Sequence, residues 1–370
     1  MKRLAQATMM IMPVLAITLL LGVTGPALAG VVVNGNNTVT FTITAANTST
    51  MTLTYSSEQT ITVPMQNVGN DWSVTIGPLT PNWYRYFFSV DGMRMHDPLN
   101  ADHYFSVYGR LWSYFLVPGP EADFLDIEDV PHGLVSTVRY FSSATNSWRS
   151  MGVYTPPGYN NHDNRKYPVL YLHHGAGNTG FEWIWNNRAD LILDNLLAKG
   201  EIVPMIVVMP DHGAFPGFLG DPVQDPYPVK ELLENVIPTI EKQFRVLPGS
   251  KNRAMAGLSM GGWRTLATLL QLSEVFDYFC PLSAGWAPDQ IIALEGNHAD
   301  MLHKLASNRN IKLLWIAMGR QDSLYSNYLA TLTLFDKYGI EYTPHATDGR
   351  HEPDVWRHNL YDFAPLLFRR

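Results

Sequence analysis

Apolar and polar residues alternate through the stretch from Val31 to about Asn100. Thr38-Val39-Thr40-Phe41-Thr42-Ile43 has period two, as do Thr60-Ile61-Thr62-Val63 and Trp72-Ser73-Val74-Thr75-Ile76, so each run predicts a strand with one apolar face. Turn signals at Asn34-Gly35, Gly77-Pro78 and Asp91-Gly92 separate the runs, and short strands at this spacing predict a small β-sandwich without a long helix. A connector through about Asp126, containing Pro118-Gly119-Pro120, precedes a change of pattern. Leu134 to Ser142 and Arg149 to Tyr154 predict a strand pair joined near Thr145-Asn146. Val169-Leu170-Tyr171-Leu172 and Met205-Ile206-Val207-Val208-Met209 are continuous apolar runs, as expected of strands buried on both faces. Helices are predicted at Ala189 to Ala198 and at Val229 to Gln243, where Leu232, Leu233, Val236 and Ile240 form one stripe and Pro238 predicts a kink. Lys312 to Ala317 reads as a later strand, Tyr325 to Tyr338 as a helix, Glu341 to His345 as a strand and Asp354 to Phe368 as a closing helix. Strands alternating with helices in this way predict an α/β sheet.

The expected organisation is a leader over residues 1–29, a β-sandwich module with its connector over 30–125, and an α/β domain over 126–370. A hydrophobic content of 46% is enough to fill two cores. The leader reading rests on Lys2 and Arg3, the apolar run from Met9 to Val23, and Ala27-Leu28-Ala29 before Gly30, the pattern of a cleaved export signal. It predicts a periplasmic or extracellular protein without a stable membrane anchor, since the apolar run is short and holds Pro13. Cys280 is the single cysteine, which excludes an internal disulfide and reads as a small buried hydrophobe. A net charge of −7 with no basic run argues against a nucleic-acid partner and for a neutral or weakly charged one. Nothing in the sequence sets the oligomeric state.

Candidate chemistry centres on Gly257-Leu258-Ser259-Met260-Gly261-Gly262, where an apolar strand over Arg253 to Ala256 gives way to helical spacing from Trp263 to Leu270. This is the pattern of a nucleophile elbow, with glycines accepting unusual backbone angles and close packing. A serine nucleophile needs a base and a carboxylate that orients it, and in elbow folds both follow the serine, acid first. Asp322, just past the Leu313 to Ala317 strand, fits the acid, and His351, after Thr347-Asp348-Gly349-Arg350, fits the base; His345 and Asp348 are reserves. For the oxyanion hole the expected donors are the backbone N–H groups of Met260 and Ala176, with Gly175 making room in His173-His174-Gly175-Ala176-Gly177-Asn178. The paired histidines lack any second ligand cluster at metal spacing, so they read as structural; no metal and no cofactor is called for. Trp183, Phe215 and Trp286 are candidate substrate-binding residues, with Trp185 and Phe218 beside them, because aromatic walls suit an aryl or sugar group.

Two resemblances sharpen this picture. Trp83-Tyr84-Arg85-Tyr86-Phe87-Phe88-Ser89-Val90-Asp91-Gly92 followed by Asp97-Pro98-Leu99-Asn100 resembles the early-set, immunoglobulin-like module that precedes some carbohydrate-active enzymes. From about residue 131 onward, Tyr167 to Gly177, Val208-Met209-Pro210-Asp211, Gly257 to Gly262 and the ending Val355-Trp356-Arg357-His358-Asn359-Leu360-Tyr361-Asp362-Phe363 resemble the esterase D-type α/β-hydrolases. Within these the chain is most similar to bacterial feruloyl esterases of carbohydrate esterase family 1. The resemblance implies an α/β-hydrolase domain that cleaves a hydroxycinnamoyl or acetyl ester from plant cell-wall xylan, with an acylated polysaccharide or oligosaccharide as partner. A siderophore-trilactone esterase, an acyltransferase and a catalytically inactive carbohydrate-binding protein remain as alternatives. The family commonly has Gly-Gly-His-Thr-Trp at its histidine, whereas this chain has Gly349-Arg350-His351-Glu352-Pro353, which puts a positive charge and a changed loop beside the base.

Overall fold

The computed structural model describes residues 30–369, apart from 57–59, 106–110, 161–163 and 214–220. The expected leader and the candidates Phe215 and Phe218 lie outside the described residues. The N-terminal region holds β1 (Val31–Val33), β2 (Val39–Thr44), β3 (Met51–Ser56), β4 (Thr60–Pro64), β5 (Gln66–Val68), β6 (Asp71–Ile76), β7 (Asn82–Val90), β8 (Met93–Met95), β9 (His103–Phe105) and β10 (Leu111–Val117). One sheet runs β1-β2-β6-β5 and the other β4-β3-β7-β10-β9, with β8 paired to β7. Val39, Phe41, Leu53, Trp72, Tyr86 and Phe115 are among the side chains that fill the space between them, as the period-two pattern requires.

Strands β7 and β10 are buried on both sides. Tyr84, Tyr86 and Phe88 of β7 and Phe115 and Val117 of β10 point into the sandwich, and the alternate residues Trp83, Trp112 and Tyr114 pack into the core of the following domain. The aromatic run that resembles an early-set module therefore serves two interfaces at once. An amphipathic sandwich strand would have shown a polar alternate face.

The remaining chain forms one eight-stranded sheet in the order β11-β12-β14-β13-β15-β16-β17-β18. Its strands are β11 (Leu134–Ser142), β12 (Ser147–Thr155), β13 (Val169–His173), β14 (Ile206–Pro210), β15 (Arg253–Leu258), β16 (Tyr278–Leu282), β17 (Leu313–Gly319) and β18 (Thr343–Thr347). β12 alone runs against the rest, antiparallel to both β11 and β14, so the hairpin between β11 and β12 lies at the carboxyl edge of the parallel strands. Helices α1 (Glu182–Trp185), α2 (Ala189–Ala198), α3 (Ile237–Gln243), α4 (Met260–Gln271), α5 (Pro288–Asn297), α6 (Ala299–Ser307), α7 (Tyr325–Tyr338) and α8 (Pro353–Phe363) cover the sheet. Its two faces bury separate apolar layers, one around Met255, Leu266 and Trp286 and the other around Leu172, Trp356 and Trp83.

The predicted helix over Val229 to Gln243 differs in kind. Its first part, Tyr227–Val236, has the wider π-helical winding, and Pro238 sits in the first turn of the α-helix that continues it. A proline inside a continuous helix removes one N–H bond and crowds the preceding turn, and the wider winding just before it is where that is absorbed. The closing helix stops at Phe363, followed by a short 3₁₀ turn over Ala364–Leu366. Helices α5 and α6 lack a clear sequence signal because each is short, with Pro288 and Gly296 inside the first and only His298 between the two.

Candidate active site

Ser259 sits between β15 and α4 with φ 53° and ψ −116°, a conformation that costs a side-chain-bearing residue energy and marks functional turns. The flanking glycines do not carry the positive φ; they are needed for contact. A Cβ on Gly257 would lie 2.5 Å from the backbone carbon of Gly261, one on Gly261 2.5 Å from the His173 carbonyl oxygen, and one on Gly262 2.5 Å from that of Leu282. The helix start is thereby pressed onto β13, β15 and β16. The Ser259 N–H donates to the Leu282 carbonyl at 2.9 Å, and its own carbonyl accepts from Trp263 N–H at 2.9 Å. Met260 is the first residue of α4, so its N–H points out of the helix at the positive end of the dipole.

His351 and Asp322 meet across two loops: His351 Nδ1 and Asp322 Oδ2 are 2.8 Å apart, and the carboxylate is fully buried. Asp322 is fixed from its other oxygen, which accepts the Leu324 N–H at 2.8 Å. The two loops are laced together, with Arg320 N–H donating to Thr347 O at 2.8 Å, Gln321 N–H to Gly349 O at 3.0 Å and Gly349 N–H to Gln321 Oε1 at 2.6 Å. The His351 ring packs edge-on to Trp356 at 5.3 Å, and Trp356 Nε1 donates to Ser283 Oγ at 2.9 Å. Ser283 directly follows the residue that anchors Ser259, which ties the histidine to the serine through β16. The next residue, the buried Arg357, donates to Asn186 O, Asn82 Oδ1 and Trp83 O; burial pushes its guanidinium down to about 10. The N-terminal module therefore braces the helix that carries the histidine loop.

The loop after β13 brings Gly175 to the serine: a Cβ there would stand 3.6 Å from Ser259 Cβ and 2.7 Å from Leu258 Cδ1. The Gly175 N–H is already engaged, donating at 2.8 Å to Glu182 Oε2, while Asn178 Nδ2 donates at 2.6 Å to Glu182 Oε1. Gly175 thus contributes space in place of a donor, and Ala176 is exposed at the crest of the loop. Sequence reasoning missed Glu182; its signal was one carboxylate inside the aromatic run Phe181-Glu182-Trp183-Ile184-Trp185. Burial pushes its carboxyl up, opposed by the Gly175 hydrogen bond.

His173, His174 and His212 form a buried stack with Tyr227: His173 Nε2 and the Tyr227 hydroxyl are 2.8 Å apart, and His212 N–H donates to His174 Nε2 at 3.2 Å. Burial, with His174 adding to it, lowers His173 to about 3, and burial lowers His212 in the same direction. The reserve candidates belong elsewhere. His345 stacks on Trp315 at 4.5 Å and faces Asp362, and Asp348 pairs with Arg320 at the surface. Arg350 is exposed and its N–H donates to Glu352 Oε1 at 2.7 Å.

Two of the aromatic candidates are corrected. Trp183 is fully buried with Nε1 donating to His173 O at 2.9 Å, and Trp286 is fully buried edge-on to Phe335. Both fill core, where no substrate reaches them. A cavity of about 320 Å³ opens instead beside Ser259, walled by Met260, Trp263, Ala284 and Leu324, with Asp289 and Asn327 among its polar groups. These come from α4 after β15 and from the segments after β16 and β17, where a ligand in an open α/β sheet is expected, and the size suits a small aryl group.

The chain belongs to the Esterase family, whose model, described as "Putative esterase", matches residues 142–366. It is similar to an endo-1,4-beta-xylanase/feruloyl esterase of Xylanibacter ruminicola, 35% identical over 243 residues that make up 62% of this chain and 32% of that one. The match thus spans about a third of that relative's length. Among solved structures, a CE1 ferulic acid esterase from the anaerobic fungus Anaeromyces mucronatus aligns with a TM-score of 0.55 and 26% identity, covering 66% of this chain and 93% of that one. The enterobactin esterase of Shigella flexneri shares the fold at 17% identity, with a TM-score of 0.59 over 89% of this chain and 94% of that one. That alignment is too long to leave out the N-terminal β region. The α/β-hydrolase architecture behind an all-β region is accordingly the fold of this protein.

Proposed function

We propose that the protein is an exported serine carboxylic ester hydrolase that removes hydroxycinnamoyl or acetyl groups from plant cell-wall xylan or its oligosaccharides. The observation that carries the reading is the 2.8 Å His351–Asp322 pair at the same sheet edge as a serine held in an elbow beside an aryl-sized cavity. In this mechanism Ser259 Oγ attacks the ester carbonyl as His351 Nε2 takes its proton. Asp322 holds the Nδ1 proton and stabilises the imidazolium, and His351 then delivers its proton to the leaving alcohol. The Met260 and Ala176 N–H groups receive the developing oxyanion, helped by the α4 dipole. Water repeats the sequence on the acyl-enzyme. The acyl group would occupy the cavity lined by Trp263 and Leu324. Residues 30–125 act as a module whose β7 and β10 are built into the enzyme's core. The similarity to a xylanase/feruloyl esterase supports the substrate class, and the leader pattern supports export.

The test is a substrate profile of purified protein against feruloyl, acetyl and catecholate esters, with Ser259→Ala as the control. Feruloyl or acetyl turnover that drops by at least about 10⁴-fold in the variant, with the fold intact, is expected. Preference for the catecholate ester, or turnover that survives the substitution, would reject the reading.

A further inference from the structure

A second cleft, of about 680 Å³, lies at the sheet edge that carries Ser259 and is lined by Arg139, Trp148, Arg149, Ser150 and Asp211. It belongs to the β11–β12 hairpin and the end of β14. Registry pairs Arg139 with Ser150 and Phe141 with Trp148, so these four share one face of the hairpin. The opposite face carries Tyr140, which donates to the buried Glu231 at 2.6 Å, and Arg149, 3.3 Å from the same carboxylate. The hairpin is thus anchored from below and, among the described residues, uncovered above. Trp148 is 74% exposed and Phe141 50% exposed, standing edge-to-face at 5.9 Å. Among the described residues the Arg139 guanidinium has no partner.

We propose that this face is a sugar-binding subsite that holds a neutral pyranose or furanose unit of the glycan whose ester is cleaved at Ser259. A sugar ring has an apolar C–H face and a hydroxyl rim. The indole of Trp148 offers a flat apolar surface for the former, and Arg139, Ser150 and Asp211 offer donors and an acceptor for the latter. An oily partner would leave the Arg139 charge stranded. The position also fits: β12 is the third strand from β15, about 14 Å at ordinary strand spacing, within reach of a short oligosaccharide attached to an acyl group at the serine. The inference rests on the esterase reading and adds where the leaving glycan goes.

Purified wild type, Trp148→Ala and Arg139→Ala would be compared on a feruloylated arabinoxylo-oligosaccharide and on methyl ferulate. Remote binding energy accelerates only the substrate that carries the remote group, so the ratio of the two kcat/KM values is the readout. The expected ratio falls about tenfold for Trp148→Ala, and about threefold for Arg139→Ala. Met93→Ala, a 73% exposed apolar residue on the N-terminal module, keeps the wild-type ratio. In parallel, Ser259→Ala is titrated calorimetrically with an unesterified xylo-oligosaccharide, and the heat is lost when Trp148→Ala is added. An unmoved ratio, or equal losses on both esters, overturns the proposal. So does a wild-type dimer that Trp148→Ala splits, which would make this face a contact between copies. If wild type cleaves neither ester, the esterase reading fails, and the titration still decides whether sugar binds at Trp148.

Discussion

Ser259 and His351 are held at the same edge of one sheet by different means. The serine is fixed by backbone within a short segment: glycine contacts at 257, 261 and 262, and the hydrogen bonds of Ser259 to Leu282 and Trp263. The histidine is fixed by side chains from distant parts of the chain, namely Asp322, Trp356 through Ser283, and Arg357 through Trp83 and Asn82 of the N-terminal module. Backbone packing leaves few ways to adjust, whereas a side-chain brace can be loosened one contact at a time. Ser259 should therefore tolerate no local change in its surroundings, and the placement of His351 should depend on the integrity of the whole molecule.

The largest effect separates position from presence. Asp322→Asn keeps the size of the side chain and loses the orientation of His351, and is expected to lower kcat by about 10³–10⁴-fold with an unchanged circular dichroism spectrum. A loss under tenfold would show that the histidine is oriented by something else. Removing residues 30–125 should yield insoluble protein, because Trp83, Trp112 and Tyr114 are part of the domain's own apolar layer and their loss exposes it. A soluble, active fragment would break the claim that the module braces His351. On the serine side, Gly257→Ala forces a methyl against Gly261 backbone and should cost about 3 kcal/mol of unfolding free energy in a denaturant titration. Ordinary stability would mean that the elbow is more pliable than its packing suggests.

The most gradual effect, small at any one pH step, concerns the buried histidines under the serine loop. His173 is lowered to about 3 and His212 is lowered as well, both chiefly by burial. A depressed folded-state value means the unfolded chain takes up the proton first, so the stabilising neutrality is complete above about pH 6.5 and is lost as pH falls toward 3. His173 steepens the loss by up to about 1.4 kcal/mol per pH unit in that window, and His212 acts in the same direction. Urea titrations across it check the slope, and His173→Asn should flatten it.

Much of this was legible in the sequence because local rules governed it. Ala189 to Ala198, Tyr325 to Tyr338 and Leu134 to Ser142 coincide with α2, α7 and β11, since their periods were clean and their ends were marked. The elbow could be read because its glycines are contiguous with the serine. Trp183 and Trp286 misled because an aromatic residue near a motif has the same letter whether it lines a cavity or fills a core; only packing separates them. Leu324, Asn327 and Asp289 were invisible for the opposite reason, being ordinary residues made special by converging loops. The double burial of β7 and β10 was hidden in a run of aromatics that a single interface would also explain.

The left-handed backbone at Ser259 has a cost for the folded protein itself. A residue with a Cβ pays about 1–2 kcal/mol to sit there, and the proposed role of the hydroxyl would forbid the one residue, glycine, that relaxes it. A chain carrying glycine at 259 should consequently melt later than the native one and, on the proposed mechanism, do no chemistry, so the elbow is also a built-in weakness.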